Sequence, residues 1–361
     1  MKRLILCCDG TWNTADQEEN DEPCPTNVVK IGYRIAKRDG DIPQIVYYDQ
    51  GVGSGNILDR VSGGALGAGL EANIHDAYRF LVANYEPGDE LYLFGFSRGA
   101  FTARSIAGMI RKCGVLGRGF VEHYREAIAL YRTDLHPDDA VPLKFRTDYS
   151  LCGADEIKIK CIGVWDTVGA LGIPLRGLRW VTRGKYQFHD TELSGVVEHA
   201  YHALAIDERR APFEPTLWTY KPKPEQTVQQ AWFCGVHSDV GGSYPERGLS
   251  DITLDWMIGK AQGAGLKFDS AAMQAHALKP DPLAMLHNSK TGFYRLTVGC
   301  DRDIGWAIKP ADASTGNMSR TDPTQSVHDS VLTRWDSDAT YRPPGLKDYF
   351  KRTGDRRGDE Q

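Results

Sequence analysis

Residues 91–104 read LYLFGFSRGAFTAR, an apolar run whose character changes at one serine. The hydrophobic residues of 91–96 are continuous rather than alternating, which is typical of a parallel strand buried on both faces. Small residues follow Ser97 at helical spacing, namely Gly99, Ala100, Ala103 and Ala107. Such residues let a helix approach a sheet closely. The stretch therefore predicts a buried strand that turns sharply at Ser97 into a closely packed helix.

The turn itself, Gly95-Phe96-Ser97-Arg98-Gly99, matches G-x-S-x-G, the nucleophile elbow of α/β-hydrolases. An elbow gives its serine a strained backbone, and glycines two residues to either side avoid clashes with it. The hydroxyl then projects above the sheet at the N-terminus of the helix, where backbone amides can stabilise an oxyanion. The pattern predicts Ser97 as a nucleophile. The alternative is an ordinary strand-to-helix turn whose serine has no chemical role.

Short apolar segments like the one before Ser97 recur along the chain, and each ends in a turn that contains Gly or Asp. These segments are 3–10, 44–51, 91–97, 159–169 and 231–242. Helical periodicity occupies 26–38, 69–85 and 98–113, with further candidates at 121–132 and 251–265. Strands that alternate with helices predict the α/β class. We expect an α/β-hydrolase-like, doubly wound and mostly parallel sheet with functional residues at the carboxyl ends of its strands.

The remaining segments fit such a sheet less well. We expect a single domain over residues 1–345, in which residues 170–230 form an insertion over the strand ends and a candidate lid. Residues 266–345 read as a C-terminal elaboration that is rich in turn signals, with one late strand at 292–298. Residues 346–361 read as a polar tail that frays.

Composition excludes several classes of protein. The chain has 361 residues, 41% of them hydrophobic and 25% charged, which is ample for a sizeable core. The formal net charge of −5 provides no basic field for a nucleic-acid partner. The eight cysteines form no C-x-x-C pair and no zinc-like spacing. Cys7, Cys161 and Cys234 lie in apolar runs, where they read as small core residues, a use typical of a reducing compartment. No spacing pattern predicts a bound metal or a cofactor.

The N-terminus and the hydropathy pattern bear on localisation. The apolar run before Asp9 is shorter than the roughly 7–15 apolar residues of a signal peptide. No stretch approaches the roughly 18 consecutive apolar residues that a transmembrane helix requires. We therefore expect a cytoplasmic protein, with export by a leaderless secretion system as the alternative.

A serine nucleophile needs a histidine base and a carboxylate that orients it, in the chain order serine, acid, histidine in this fold. The ends of later strands supply Asp166 in GVWDTVG and His237 in GVHSDVGG. Two alternatives stay open, namely Asp239 as the acid and His328, which follows the late strand, as the base. Asp239 lies only two residues from His237, which favours a role in capping the turn. Two further histidines read as helical residues, His75 and His202.

The oxyanion would need two backbone amides, one from Arg98 and one from the loop CDGTWN after the first strand. Gly10 or Thr11 would be the second donor, and Asp9 would alternatively anchor this loop. A divalent cation held by three strand-end carboxylates is the alternative chemistry. These carboxylates are Asp9, Asp166 and Asp239.

Several motifs occur together along the chain: CDGTWN, TNV, GFSRGAFTAR, GVWDTVGALG, HALAIDERRAPFEPTLW and GVHSDVGG. In combination they resemble the DUF2235 α/β-hydrolases, a group that includes the catalytic domains of type VI secretion phospholipase effectors of the Tle1 class. The resemblance covers roughly residues 1–260, and SVHDSV extends it further. It implies a Ser-Asp-His hydrolase and, motif by motif, it assigns Ser97, Asp166 and His237 to the triad.

These observations favour a serine hydrolase that cleaves carboxylic esters of small molecules or lipids, phospholipids among them, through an acyl-enzyme. A metal-dependent phosphoester hydrolase and a catalytically silent binding module with the hydrolase fold are the alternatives. The apolar and basic residues of 171–185 would form a lid or make peripheral contact with an anionic membrane. Their alternative is a helix packed on the edge of the sheet with its cations in solvent.

Overall fold

In the computed structural model of the chain, the described residues build a sheet of eight strands and a separate two-stranded ribbon. The described residues are 1–10, 13–19, 21–51, 63–152, 157–169, 193–219, 225–291, 299–306 and 321–359. The strands are β1 (Arg3–Cys8), β2 (Glu18–Glu19), β3 (Glu22–Pro23), β4 (Arg38–Asp39), β5 (Ile42–Asp49), β6 (Glu90–Phe96), β7 (Ile159–Trp165), β8 (Val197–Ala205), β9 (Thr227–Phe233) and β10 (Gln325–Val327). The ribbon pairs β2 with β3.

The strands of the sheet lie in the order β4-β5-β1-β6-β7-β8-β9-β10. All neighbours are parallel except the edge strand β4, which pairs with β5 in an antiparallel hairpin. The chain therefore winds outward from β1 to β5, returns to β6 on the other side of β1, and continues to β10. In doubly wound sheets, ligands bind outside the carboxyl ends of the strands at such a switch point. The turn at Ser97 follows β6 directly.

Helices cover both faces of the sheet. They are α1 (Asn27–Gly32), α2 (Gly63–Asn84), α3 (Arg98–Cys113), α4 (Tyr124–Tyr131), α5 (Ala140–Tyr149), α6 (His237–Gly241), α7 (Gly248–Gly263), α8 (Ser270–Ala275), α9 (Asp329–Ser337) and α10 (Pro344–Thr353). Successive residues of β1 point to opposite faces, so Leu4 and Leu6 join the core with α2 and α3, whereas Ile5 and Cys7 join the core with α1 and α7. Burial on both faces explains why the strand sequences are continuously apolar.

The doubly wound α/β architecture predicted from the sequence is confirmed. The five apolar segments correspond to β1, β5, β6, β7 and β9, and helices α2, α3 and α7 lie where the periodicity placed them. Helix α1 is shorter than predicted and ends at Gly32. The candidate at 121–132 divides into a 3₁₀ helix, Arg118–His123, and α4.

Three strands of the sheet were not predicted, namely β4, β8 and β10. Strand β8 lies between β7 and β9, within the residues interpreted as an insertion, so that interpretation is wrong for Val197–Ala205. The helical assignment of His202 is wrong as well, because this residue is a fully buried member of β8. The sequence VEHAYHALA contains Glu and His residues that interrupt the apolar pattern of a buried strand, although the second half of the strand is entirely buried.

The C-terminal region contributes to the core. Strand β10 extends the sheet beside β9, and α9 follows it immediately. Helix α10 buries Leu346 and Phe350 completely, and the ring of Phe350 packs edge-on against Trp335 with centroids 5.0 Å apart. The expectation of a polar tail from residue 346 is therefore wrong for α10, whose two apolar residues occur one helical turn apart among charged ones.

Two predicted segments lie outside the described residues, namely the late strand at 292–298 and the candidate lid or membrane contact at 171–185. Among the helices of the described ranges, none combines the length and the apolar character that crossing a bilayer requires. Five of the eight cysteines (Cys7, Cys8, Cys113, Cys161 and Cys234) are buried thiols whose pKa values are raised by burial.

Candidate active site

Ser97 occupies the predicted elbow between β6 and α3. Its backbone has φ 58° and ψ −120°, in the region that L-residues rarely adopt. Glycine is required on both sides of it. A Cβ at Gly95 would lie 2.6 Å from the Cα of Ala100, and a Cβ at Gly99 would overlap the carbonyl oxygens of Cys8, the last residue of β1, and of Asp9. The G-x-S-x-G pattern thus reflects two close backbone contacts around a strained serine.

Replacement of Gly99 by alanine should destabilise the fold by about 1–3 kcal/mol, since the added methyl group collides with backbone atoms rather than with a flexible side chain. Gly108 is the matched control, because it lies in the same helix and a Cβ there would meet Tyr131 at 3.7 Å, an ordinary contact. Gly108→Ala should be neutral or stabilising. Urea unfolding of both variants measures this, and equal stabilities would contradict the close approach of α3 to β1.

Asp166 and His237 are in direct contact. The His237 Nδ1 lies 2.6 Å from the Asp166 Oδ2, and the two residues are 4% and 0% exposed. Asp166 follows β7 immediately, whereas His237 is the first residue of α6, beyond β9. The backbone amide of Ala205 donates to the Asp166 Oδ1 at 3.2 Å, and the guanidinium of Arg302 donates to its Oδ2 at 3.2 Å. The carboxylate therefore has a fixed orientation toward the imidazole.

The ionisation states of this pair follow from their surroundings. Burial alone would raise the pKa of Asp166, but the charge of Arg302 and the contact with His237 lower it to about 2. Burial lowers the pKa of His237, although Asp166 acts in the opposite direction. Near neutral pH the pair is therefore a carboxylate and a neutral imidazole. A carboxylate only accepts, so Nδ1 carries the proton and Nε2 has a free lone pair.

Ser97 lies beside this pair. Its amide donates to the carbonyl of Trp165 at 3.0 Å, and Trp165 immediately precedes Asp166. The ring of Phe96, the neighbour of Ser97, packs against the imidazole of His237 with centroids 4.6 Å apart. The structure therefore places the backbone of Ser97 close to the Asp166–His237 pair, at the carboxyl ends of β6, β7 and β9.

The loop after β1 is anchored by Asp9, as the sequence suggested. This buried carboxylate accepts hydrogen bonds from the Gly10 amide at 2.7 Å, the Thr26 hydroxyl at 2.8 Å and the Tyr48 hydroxyl at 2.7 Å. Burial raises its pKa to about 6 despite these bonds. Because the Gly10 amide is directed at Asp9, Gly10 does not supply the oxyanion donor, which corrects that expectation.

The other two predicted oxyanion donors are the backbone amides of Arg98 and Thr11. Arg98 is the first residue of α3, so its amide lies in the first turn, at the positive end of the helix dipole. Thr11 lies outside the described residues. Gly10, the last described residue before it, lies close to the elbow, since a Cβ at Gly10 would be 3.3 Å from that of Ser97.

Asp239 makes hydrogen bonds that hold the turn around His237, which is the kind of role that the sequence favoured. Its carboxylate accepts from the amide of Val236 at 2.9 Å, next to His237. It also pairs with His287, whose Nδ1 lies 2.6 Å from the Asp239 Oδ1 and whose ring stacks on Tyr244 with centroids 3.9 Å apart. Sequence reasoning missed His287, which lies in a turn-rich region with no periodicity. This pair holds the turn on which His237 sits.

The other candidate histidines have contacts of their own. His328 is the N-cap of α9, where its Nδ1 accepts from the amide of Ser330 at 3.2 Å, and its ring stacks on Phe233. His202 accepts from the amide of Thr167 at 3.0 Å, and burial lowers its pKa to about 3. His75 lies in α2, as predicted. None of these contacts directs an imidazole to Asp166.

The three strand-end aspartates do not converge on one point. Asp9 pairs with Thr26 and Tyr48, Asp166 with His237, and Asp239 with His287. Across the described ranges, no group of three or more His, Cys, Asp or Glu side chains is arranged to hold a metal ion. The donor set that the metal alternative needs is therefore not assembled by these residues.

Ser97 has a strained backbone between a strand and a helix, and an aspartate and a histidine follow it along the chain at later strand ends. This arrangement is that of an α/β-hydrolase-like protein. The chain belongs to the type VI secretion system Tle1-like phospholipase effector family, whose catalytic-domain model matches residues 2–260. An uncharacterized Saccharomyces cerevisiae protein, YEL023C, is 34% identical in a 252-residue alignment that covers 61% of this chain and 33% of the yeast protein. The chain thus spans about a third of the length of that relative.

Two solved structures are similar to this chain at 20% identity. One is an uncharacterized protein from Pseudomonas aeruginosa, with a TM-score of 0.45 over 74% of this chain and 46% of that one. The other is the Tle1 effector bound to the VgrG spike of the type VI secretion system, with a TM-score of 0.35 over 67% of this chain and 51% of that one.

Proposed function

We propose that the protein is a serine hydrolase that cleaves carboxylic esters of lipids, with phospholipids as the favoured substrates. The observation that carries this proposal is the 2.6 Å contact between Asp166 and a buried, neutral His237 beside the strained elbow serine. Membership of a phospholipase effector family supports the choice of a lipid ester.

In the proposed mechanism, His237 Nε2 removes the proton of the Ser97 hydroxyl while the serine oxygen attacks the ester carbonyl carbon. Asp166 holds the required tautomer and stabilises the imidazolium, and the Arg98 amide stabilises the oxyanion. The ester C–O bond then breaks, and the leaving alcohol takes the proton from His237. Water, deprotonated by the same imidazole, attacks the acyl-enzyme, which releases the carboxylic acid and regenerates Ser97.

The site of lipid contact remains a proposal from the sequence. Residues 171–185 combine apolar and basic side chains that suit an anionic surface, and they lie outside the described residues.

The substrate class can be tested with p-nitrophenyl esters of short and long acyl chains, alongside phosphatidylglycerol and phosphatidylcholine vesicles. We expect release of free fatty acid from the vesicles, turnover of the soluble esters, and no loss of either activity in EDTA. Release of a phosphate-bearing headgroup that EDTA abolishes would instead favour the phosphoester alternative. Binding of vesicles without turnover of any ester would favour the silent binding module.

A further inference from the structure

Arg302 is a buried arginine in contact with the candidate acid. It is 6% exposed, and it lies beyond residue 260, where the family match ends. Its Nη2 donates to the Asp166 Oδ2 at 3.2 Å, and its Nε donates to the backbone carbonyl of Glu208 at 3.1 Å. Sequence reasoning gave no sign of this contact, because the two charged groups are 136 residues apart along the chain.

This contact is not explained by stability. Removing both charges from water costs several kcal/mol per ion, and a buried pair repays that cost only when its geometry is excellent. Here the third guanidinium nitrogen, Nη1, is buried without a hydrogen-bond partner among the described residues. An apolar side chain of similar volume would avoid that penalty. Stability alone therefore does not account for an arginine at this position, which points to a role in the chemistry.

The same guanidinium also contacts the residue that holds the base. The Glu208 side chain accepts from the amide of His237 at 3.3 Å and from the hydroxyl of Ser289 at 2.8 Å. Its carboxylate is paired with Arg210 as well. Arg302 thus links Asp166 to the segment after β8 on which His237 rests.

We propose that Arg302 is a positioning residue for ester hydrolysis, which directs the Asp166 carboxylate at His237. This inference rests on the proposed function. It implies that residues beyond the family-matched region complete the active site. Among the described residues, the charged and titratable groups that face the Asp166–His237 pair are Arg302, Glu208, Arg210 and His202. His202 stays neutral because burial lowers its pKa to about 3.

Arg302→Met should lower kcat by about 10- to 100-fold with little change in KM, as expected when a catalytic group is misplaced. Loss of the guanidinium charge raises the pKa of Asp166 and also that of His237. Both groups must be deprotonated for catalysis, so the acidic limb of the pH–rate profile should move to higher pH. Arg302→Lys keeps the charge and should leave the limb in place while kcat falls less. In an Asp166→Asn background, removal of Arg302 should have no further effect.

The experiment measures kcat, KM and the rate of fluorophosphonate labelling against pH for the wild type and these variants, with melting temperatures. Arg334→Met is the matched control, because Arg334 is buried and bonds to the carbonyls of Pro282 and Ala284. It should lower the melting temperature without moving the limb. An unmoved limb in folded Arg302→Met would overturn the inference and assign the arginine a purely structural role.

Two further outcomes are distinguishable. If Arg302→Met does not fold, Arg302→Lys decides: a reduced kcat at unchanged KM supports the inference, and a kcat equal to the wild type overturns it. If the folded wild type neither labels nor hydrolyses any ester, the proposed function itself has failed, and the inference fails with it.

Discussion

Ser97→Ala should lower kcat for ester hydrolysis by about 10⁴- to 10⁶-fold, the range found when the nucleophile of a serine hydrolase is removed. The substitution deletes only the hydroxyl oxygen, and the alanine retains the Cβ that already fits the elbow. Substrate binding and the melting temperature should therefore change little. The measurement is steady-state hydrolysis of a p-nitrophenyl ester, with titration of active sites to exclude traces of wild-type enzyme.

Ser105 provides the matched control for this variant. It lies in the same helix, α3, and is 2% exposed, so its hydroxyl is as buried as that of Ser97. Ser105→Ala should retain most of the kcat, whatever it does to stability. If Ser97→Ala hydrolysed the ester as fast as Ser105→Ala, another group would be the nucleophile.

His237→Ala should lower kcat by about 10³- to 10⁵-fold, because the serine then lacks its base and the leaving alcohol lacks its acid. The neutral imidazole is the active form. The kcat/KM of the wild type should therefore be at its full value above the pKa of His237 and should decrease as the pH falls through that pKa. Burial lowers that pKa, so activity should persist into mildly acidic solution. The pKa of Asp166, about 2, keeps the acid ionised throughout.

Two histidines serve as controls for His237→Ala. His328 caps α9 and His287 pairs with Asp239, so neither contacts Asp166. His328→Ala should leave kcat within a few-fold of the wild type, and His287→Ala should act mainly through the turn before His237. A loss in His328→Ala larger than that in His237→Ala would place the base at the end of β10 and would contradict the site described above.

The sequence was sufficient to predict the elements that have local signatures. The elbow is one, because a strained serine needs glycine at positions 95 and 99, and both close contacts are visible in the structure. Asp166 and His237 also follow apolar runs that end in turns. Their positions at strand ends, together with the chain order serine, acid, histidine, therefore placed them near Ser97.

Other features depend on contacts that no local pattern encodes. Strand β8 contains His199 and His202, which interrupt the continuous apolar run by which the other buried strands were predicted. The direction of the Gly10 amide depends on the carboxylate of Asp9, which Thr26 and Tyr48 hold from other elements. Arg302 reaches Asp166 from a turn-rich region far along the chain, so only the folded structure brings the two together.

The covalent adduct tests the central claim most directly. The folded wild type should be incubated with a fluorophosphonate probe, weighed intact by mass spectrometry, and digested to locate the modified residue. We predict one adduct per chain, on the peptide that contains Ser97, absent from Ser97→Ala and formed far more slowly in His237→Ala. An adduct on a different serine, or ester hydrolysis by protein that forms no adduct, would contradict the assignment of Ser97 as the nucleophile.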